Sequence, residues 1–478
     1  MQLSHPHSHH AKKPSLYAFF NDDEAVAPSS PPHHSHHLPY PPAYEHHHEN
    51  LLFSPARSPN NSPANIYSFL PPPSPESPWT LSPHSTPSPS LLYHCISALR
   101  RHEGTIFSVA VARGLVFTAS ESARIRAWRQ PDCTERGYFK ASSGEVRSIV
   151  AHGNTIFTSH KDLKVRIWKI TAEPETFQAK KIAVLPKTRL FFGLLPGGSA
   201  SRHRDCISCM AYNHTEGLLY TGSWDRTVRA WRISDNTCVD SFNAHEDRIN
   251  DIAVNQNDGS VFTASNDGAV KIWRRVYGQT SHTLTMTLKF QYSPVNALGL
   301  ITCGSSNTNG NNGGGGGCFL YSGSSDGFIN FWEKEKISGR FNHGGFLQGH
   351  RFAVLCLVAL EKLVFSGSED TTIRVWRREE GSCFHECLAV IEAHQGPVKC
   401  LAASLEIDKV MVMGFLVYSA GLDQAFKVWR IKVLPEEKNR RELEPIDTKM
   451  KVSEYEMSPV LSPSWVERKI QGNITHFI

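Results

Sequence analysis

Seven tryptophans, Trp128, Trp168, Trp231, Trp273, Trp332, Trp376 and Trp429, close seven near-identical segments, and this recurrence constrains the fold more tightly than any other feature of the chain. Eleven residues before each stands an aromatic: Phe117, Phe157, Tyr220, Phe262, Tyr321, Phe365 and Tyr418. The next residue is always a small hydroxyl: Thr118, Thr158, Thr221, Thr263, Ser322, Ser366 and Ser419. Six residues before the tryptophan lies Asp162, Asp225, Asp267, Asp326, Asp370 or Asp423, and only the first unit departs, with Ser122. Segments such as Val228-Arg229-Ala230-Trp231 alternate with period two, and the aromatic-hydroxyl runs are rich in β-formers. Each unit therefore contains a strand, a turn and a second strand. A further apolar strand lies upstream, as at Ile207 to Tyr212, Ile249 to Val254, Val354 to Leu360 and Val398 to Ala403.

Successive tryptophans are 40, 63, 42, 59, 44 and 53 residues apart. The shortest spacings match the ~40–45 residues of a four-stranded WD40 unit. Residues 91–431 resemble a WD40 repeat domain, which implies an all-β, seven-bladed propeller. The resemblance also implies a buried polar network in each blade: a loop histidine, the strand hydroxyl, the turn aspartate and the tryptophan indole. Such groups need one another as partners once they leave water. All four members are present as His203, Thr221, Asp225 and Trp231; His245, Thr263, Asp267 and Trp273; His350, Ser366, Asp370 and Trp376; and His394, Ser419, Asp423 and Trp429. The first unit has His102 and no aspartate. The second and fifth keep Asp162 and Asp326 with no histidine at the matching place. Weaker networks are expected in those three blades. No strand in register follows Trp429, whereas Leu91 to Leu99 precedes His102 without a unit of its own. That segment is expected to complete the seventh blade and so remove an open edge.

The tracts His203-Arg204-Asp205-Cys206-Ile207-Ser208-Cys209 and Gly222-Ser223-Trp224-Asp225-Arg226-Thr227-Val228-Arg229-Ala230-Trp231 resemble the plant WD40 proteins of the JINGUBANG type. A Pro/Ser-rich arm and the ending Ser458 to Gln471 add to the likeness. The resemblance implies a regulator that acts through bound proteins and has no catalytic activity of its own.

Outside the repeats the composition changes. Residues 1–90 are dominated by Pro, Ser and His and are expected to form a disordered arm with polyproline II character. Residues 432–478 read as a flexible tail, and Ser305 to Gly317 as a flexible loop insertion. The net charge of +5 is small for 478 residues, so no wholesale nucleic-acid binding is implied. Residues 1–20 lack the apolar core of a secretory signal, no apolar run is long enough to span a membrane, and the eleven cysteines are scattered. The expected setting is reducing, cytoplasmic or nuclear.

Candidate binding residues cluster where loops and turns open on one face of the ring. Trp224, immediately before Asp225, is a large aromatic on a turn; it serves either as an interface anchor or as packing for the next blade's loop. The residues that follow the loop histidines, Glu103, Arg204, Glu246, Arg351 and Gln395, together with Arg248 and the turn residue Glu369, suit a polar, partner-specific rim. The alternative for each is ordinary solvated charge. Leu190 to Pro196 forms either an apolar docking loop or a lid on the propeller itself. Nine Ser-Pro or Thr-Pro sites in the arm, at Ser30, Ser54, Ser58, Ser62, Ser74, Ser77, Ser82, Thr86 and Ser88, mark it for proline-directed protein kinases, and Ser458 and Ser462 repeat the pattern in the tail.

No nucleotide loop, metal triad or nucleophile motif appears, so no catalytic residue, cofactor or metal site is expected. Cys206-x-x-Cys209 has no second pair and falls in a strand, and the arm's histidine runs lack a scaffold. The function expected is a protein-interaction scaffold. The runner-up is a substrate receptor of a ubiquitin ligase, against which stands the absence of Asp after any of the seven tryptophans.

Overall fold

The computed structural model describes residues 80–81 and 91–434, apart from 101–102, 142–143, 173–176, 188–201, 277, 291, 303–317, 380–381 and 407–412. Most of the arm, the tail from 435, His102, the Leu190–Pro196 segment, the glycine-rich insertion and the Ser-Pro sites lie outside these residues. Among the described residues all regular structure is β, and no helix is long and apolar enough to cross a membrane.

The strands form seven four-stranded antiparallel sheets, one per repeat, paired in sequence order in the first six; the sixth gains a short parallel edge strand, Thr80–Leu81. Blade three is representative: Ile207–Asn213 pairs with Leu218–Ser223, then Thr227–Arg232, then Thr237–Asn243. The fold is a seven-bladed β-propeller. Ring closure follows the expectation. The outer strand of blade seven is Leu91–Arg100, paired antiparallel with Ala425–Val433. That last strand runs two residues beyond the expected end at 431.

The apolar core lies between blades, in one cluster for each neighbouring pair. Between blades three and four, Tyr220, Val228 and Ala230 meet Ile249, Ile252, Val261 and Trp273. Between blades two and three, Phe157, Ile167 and Leu185 meet Ile207, Leu219 and Trp231. The tryptophan of each repeat thus packs towards the preceding blade and the aromatic eleven residues earlier towards the following one, which is why both positions are invariantly large. The residue two after that aromatic is always small because the next blade presses on it. A Cβ on Gly222 would lie 2.9 Å from Ile249 Cγ2, and one on Gly367 would lie 2.7 Å from Val398 Cγ1.

A second pattern was not visible in the repeat. Every inner strand carries a β-bulge near its first residue, such as that between Ile207 and Cys209. A bulge re-aims the extra side chain. In three blades that side chain reaches the first inner-strand carbonyl of the next blade: Ser208 to Ile249 O at 2.5 Å, Asn250 to Val295 O at 2.9 Å and Asn296 to Val354 O at 3.0 Å. Ser159 does the same to Ile207 O, and the Cys356 and Cys400 thiols point at Val398 O and Ile106 O. Between blades one and two the direction reverses, with the Ile149 amide donating to Ser108 Oγ at 3.2 Å. Each junction of the ring therefore has a polar fastener beside its apolar cluster.

Candidate protein-binding face

The four complete networks form as continuous hydrogen-bond chains. In blade three the Trp231 indole N–H donates to Thr221 Oγ1 at 3.0 Å, Thr221 Oγ1 lies 2.7 Å from His203 Nε2, and His203 Nδ1 lies 3.1 Å from the Asp225 carboxylate. Each heteroatom finds its complement when Thr221 donates to Nε2 and Nδ1–H donates to the carboxylate. The same connectivity joins Trp273, Thr263, His245 and Asp267; Trp376, Ser366, His350 and Asp370; and Trp429, Ser419, His394 and Asp423. Burial, the largest influence, pushes His203, His350 and His394 below the ordinary imidazole value despite their carboxylate partners, so they are neutral. Burial alone would raise the aspartates. Hydrogen bonds from the histidine, a neighbouring threonine hydroxyl and backbone amides instead hold Asp225 and Asp370 below the usual carboxylate range, and the histidine and backbone amides hold Asp267 at about 2.

The three other blades depart in different ways. Blade two does contain a network histidine: His160, two residues after Thr158 on the same strand, places Nε2 2.7 Å from Thr158 Oγ1, which also receives the Trp168 indole at 2.9 Å. Sequence spacing pointed only to the loop before the blade, so this substitute was missed. Its Asp162 is free to pair with Arg166 at 2.7 Å. In blade five Trp332 bonds Ser322 at 3.3 Å, and Asp326 caps the Phe328 amide at 3.0 Å. In blade one Ser122 takes the aspartate's turn role, accepting from the Arg124 amide at 3.1 Å, and Trp128 bonds Thr118 at 3.0 Å.

These networks shape a surface. In all seven blades the turn residue before the aspartate position donates its amide to a carbonyl in the segment that enters the inner strand. The pairs are Glu121 to Thr105, Lys161 to Glu145, Trp224 to Cys206, Asn266 to Arg248, Ser325 to Pro294, Glu369 to Ala353 and Leu422 to Pro397, at 2.9–3.2 Å. In the four complete blades the aspartate also accepts the amide of the residue after the histidine: Arg204, Glu246, Arg351 and Gln395, at 2.8–3.2 Å. The rim side chains therefore project from backbone that is anchored to the buried network. Arg204, Glu246, Arg351, Gln395 and Glu369 are all exposed.

Trp224 packs against the loop that enters the next blade. Its ring is half-buried, and the Arg248 guanidinium from the loop entering blade four sits 5.1 Å from its centre. The ring packs on its neighbour and still offers a face to solvent. Glu103, by contrast, is no free rim charge: it pairs with Arg124 at 3.0 Å and Arg126 at 2.6 Å. Two rim aromatics were missed. Phe352, beside Arg351, is 59% exposed, and Phe107 at the head of the first inner strand lies 4.8 Å from the Arg147 guanidinium. Phe352 had a signal, an aromatic adjoining an arginine in a loop, whereas Phe107 is set apart only by the bulge between Ile106 and Ser108.

Among the described residues no group of three His, Cys, Asp or Glu side chains is placed to hold a metal. Cys209 is buried, and burial pushes the Cys206 thiol up to about 11. These are protonated packing groups. The family model described as WD domain, G-beta repeat matches residues 197–232, 236–274 and 342–377, which span blade three, the first three strands of blades four and six, and most of the outer strand of blade five. The chain carries WD40 repeats. None of the curated proteins compared with it matches. The tryptophans in the three matched stretches, Trp231, Trp273 and Trp376, each belong to a complete network, and the other blades share the same four-strand topology.

Removing one network member should be felt in proportion to what it leaves unpaired. Asp225→Ala removes the carboxylate acceptor of His203 Nδ1 and of the Arg204 and Thr227 amides, leaving Nδ1 only Thr227 Oγ1 at 3.2 Å. A cost of about 1–3 kcal/mol per buried unsatisfied group places this among the severe single substitutions. Ser122→Ala loses only turn bonds and is expected to cost clearly less. Thermal unfolding of the two variants should rank them in that order; the reverse ranking would refute the anchoring role of the aspartate.

Proposed function

We propose that this chain is a non-enzymatic protein-interaction scaffold whose partners dock on the face carrying Trp224, Arg248, Arg351 and Phe352. WD40 propellers generally bind other proteins, and the observation that carries the reading here is the anchored rim. Seven turn amides and four network carboxylates hold the backbone beneath exposed arginines, aromatics and glutamates. Preorganised side chains lose less entropy on association, and aromatic and arginine anchors dominate interface energies. Arg204, Glu246 and Glu369 supply the flanking charge that selects among partners. The JINGUBANG-type likeness of the tracts around His203 and Trp231 extends the reading to a plant regulator of signalling or development, in cytoplasm or nucleus. Proline-directed kinases acting on the arm would add control.

The test is a double substitution. Once a partner has been identified by affinity purification from the native tissue, Trp224→Ala with Arg351→Ala should weaken its binding by well over tenfold. The melting temperature should stay within a few degrees, since both side chains lie outside the apolar clusters. Unchanged affinity by calorimetric titration would remove this face as the docking site. Unfolding of Trp224→Ala alone would show that the ring serves the fold rather than the partner.

A further inference from the structure

Three of the aromatics that pack towards the following blade are tyrosines, Tyr220, Tyr321 and Tyr418, and all three are buried. A buried phenol needs a partner for its hydroxyl. At two junctions the following blade supplies one. Between blades three and four, Tyr220 Oη lies 3.0 Å from His282 Nε2, and His282 Nδ1 lies 2.8 Å from the Asp240 carboxylate back in blade three. Between blades five and six, Tyr321 Oη lies 2.9 Å from His385 Nε2, and His385 Nδ1 lies 2.9 Å from Cys383 O. An imidazole that donates from Nδ1 leaves Nε2 to accept the phenol proton, so both chains close. Each histidine stands two residues before the outer-strand residue that pairs with the tryptophan of its blade, Leu284 with Trp273 and Cys387 with Trp376.

Between blades seven and one this pattern breaks. Glu135 pairs with Trp128, and two residues before it stands Cys133, a short thiol in place of an imidazole. Among the described residues the Tyr418 hydroxyl has no hydrogen-bond partner. Ser404 and Gln130 lie near it, but they bond each other at 3.2 Å without closing a bond to the phenol. The fastener is also weakest here: the Cys400 thiol stands 3.8 Å from Ile106 O, against 2.5–3.4 Å at the other six junctions. Those other junctions hold either a bonded tyrosine or one of Phe117, Phe157, Phe262 and Phe365, which have no hydroxyl to satisfy.

We propose that the junction between blades seven and one is the gate of the propeller, the place where the ring opens first, and that the two buried Tyr–His bonds lock the junctions between blades three and four and between blades five and six. An unpaired buried hydroxyl penalises the closed junction and regains water when it opens. Local opening follows the least satisfied contacts. Apolar packing is not what sets this junction apart, since Trp128, Tyr418 and Phe426 all lie in its cluster. Ile96 and Leu99 of the closing strand pack against the same cluster, which places the gate beside the strand that completes the ring. The inference rests on buried polar pairing and is independent of the docking face.

Each tyrosine junction carries its own reporter thiol: Cys209 between blades three and four, Cys387 between blades five and six, and Cys133 between blades seven and one. All three are only 3–5% exposed, so labelling reports opening and not static access. The native full chain would be treated with iodoacetamide and each cysteine followed by mass spectrometry, with its rate divided by that in the unfolded chain. Cys133 should react at least about tenfold faster than Cys209 and Cys387. Tyr418→Phe removes the unpaired hydroxyl, so it should slow Cys133 alone and leave the melting temperature level or higher. Tyr220→Phe and Tyr321→Phe each leave a histidine nitrogen unpaired and should lower it. Equal rates at the three thiols, or a faster Cys209 or Cys387, would overturn the gate. A fall in melting temperature for Tyr418→Phe as large as for the other two would overturn it as well, by showing that its hydroxyl is bonded. Unchanged melting and labelling in Tyr220→Phe and Tyr321→Phe would overturn the locks.

Discussion

A chain beginning at residue 100 is expected to melt more than 10 °C below one beginning at residue 91, or to aggregate on expression. The ten-residue strand Leu91–Arg100 pairs along its length with Ala425–Val433 and is the one place where the two ends of the ring are tied by a ladder. Its loss would expose the edge of Ala425–Val433, a template for edge-to-edge association. It would also strip Leu91 from the cluster between blades six and seven, and Ile96 and Leu99 from that between blades seven and one. Full burial of a side chain like Leu91 is worth about 1.5–3 kcal/mol, and the partly buried Ile96 and Leu99 add less, beyond the lost hydrogen bonds. A domain of this size shifts in melting temperature by a few degrees per kcal/mol. Equal melting temperatures for the two chains would show that the ring does not depend on this closure.

The propeller should lose several kcal/mol of stability between pH 7 and pH 5. Burial holds His203, His350 and His394 below the ordinary imidazole value, His160 down to about 3, and His343 and His385 down to about 4. In the unfolded chain these rings take up protons near pH 6.5, so their contribution is fully present above that value. It is lost as pH falls through the window down to the folded values. The depressed aspartates Asp225, Asp267, Asp370 and Asp423 act in the same direction below about pH 4. Asp251 opposes them: burial raises its carboxyl to about 6, so it favours the folded state on acidification, but it is one group against many. Chemical denaturation at pH 7, 6 and 5 in constant salt should give a falling midpoint. His160→Gln should flatten the dependence above pH 5. A midpoint that is level or rises across this range would refute the neutral-histidine networks.

The architecture was written in the local sequence because a propeller repeats one supersecondary unit. Each blade needs a large residue against each neighbour, a small one where the next blade presses, and a polar chain that satisfies its own members. Tyr220, Thr221, Gly222, Asp225 and Trp231 meet those needs within a dozen residues, and the same spacing recurs in all seven units, with Ser122 in place of the aspartate in the first. The role of Leu91–Arg100 was legible for a related reason: a strand without a unit must complete the unit that lacks one. What the sequence could not decide depends on contacts between segments with no fixed spacing. His160 replaces a loop histidine from within its own strand, since a buried hydroxyl accepts any imidazole that reaches it. The fasteners Ser208, Asn250 and Asn296 take their aim from a bulge that appears only when two strands pair out of step. Trp224 is a half-buried packing group because Arg248 of the next blade lies over it. Thr80–Leu81 meets the outer strand of blade six across some three hundred residues of sequence, a pairing that no local spacing announces. Short-range spacing determined the blades; the ring brought their rims and edges together, because only its closure sets which distant side chains share a surface.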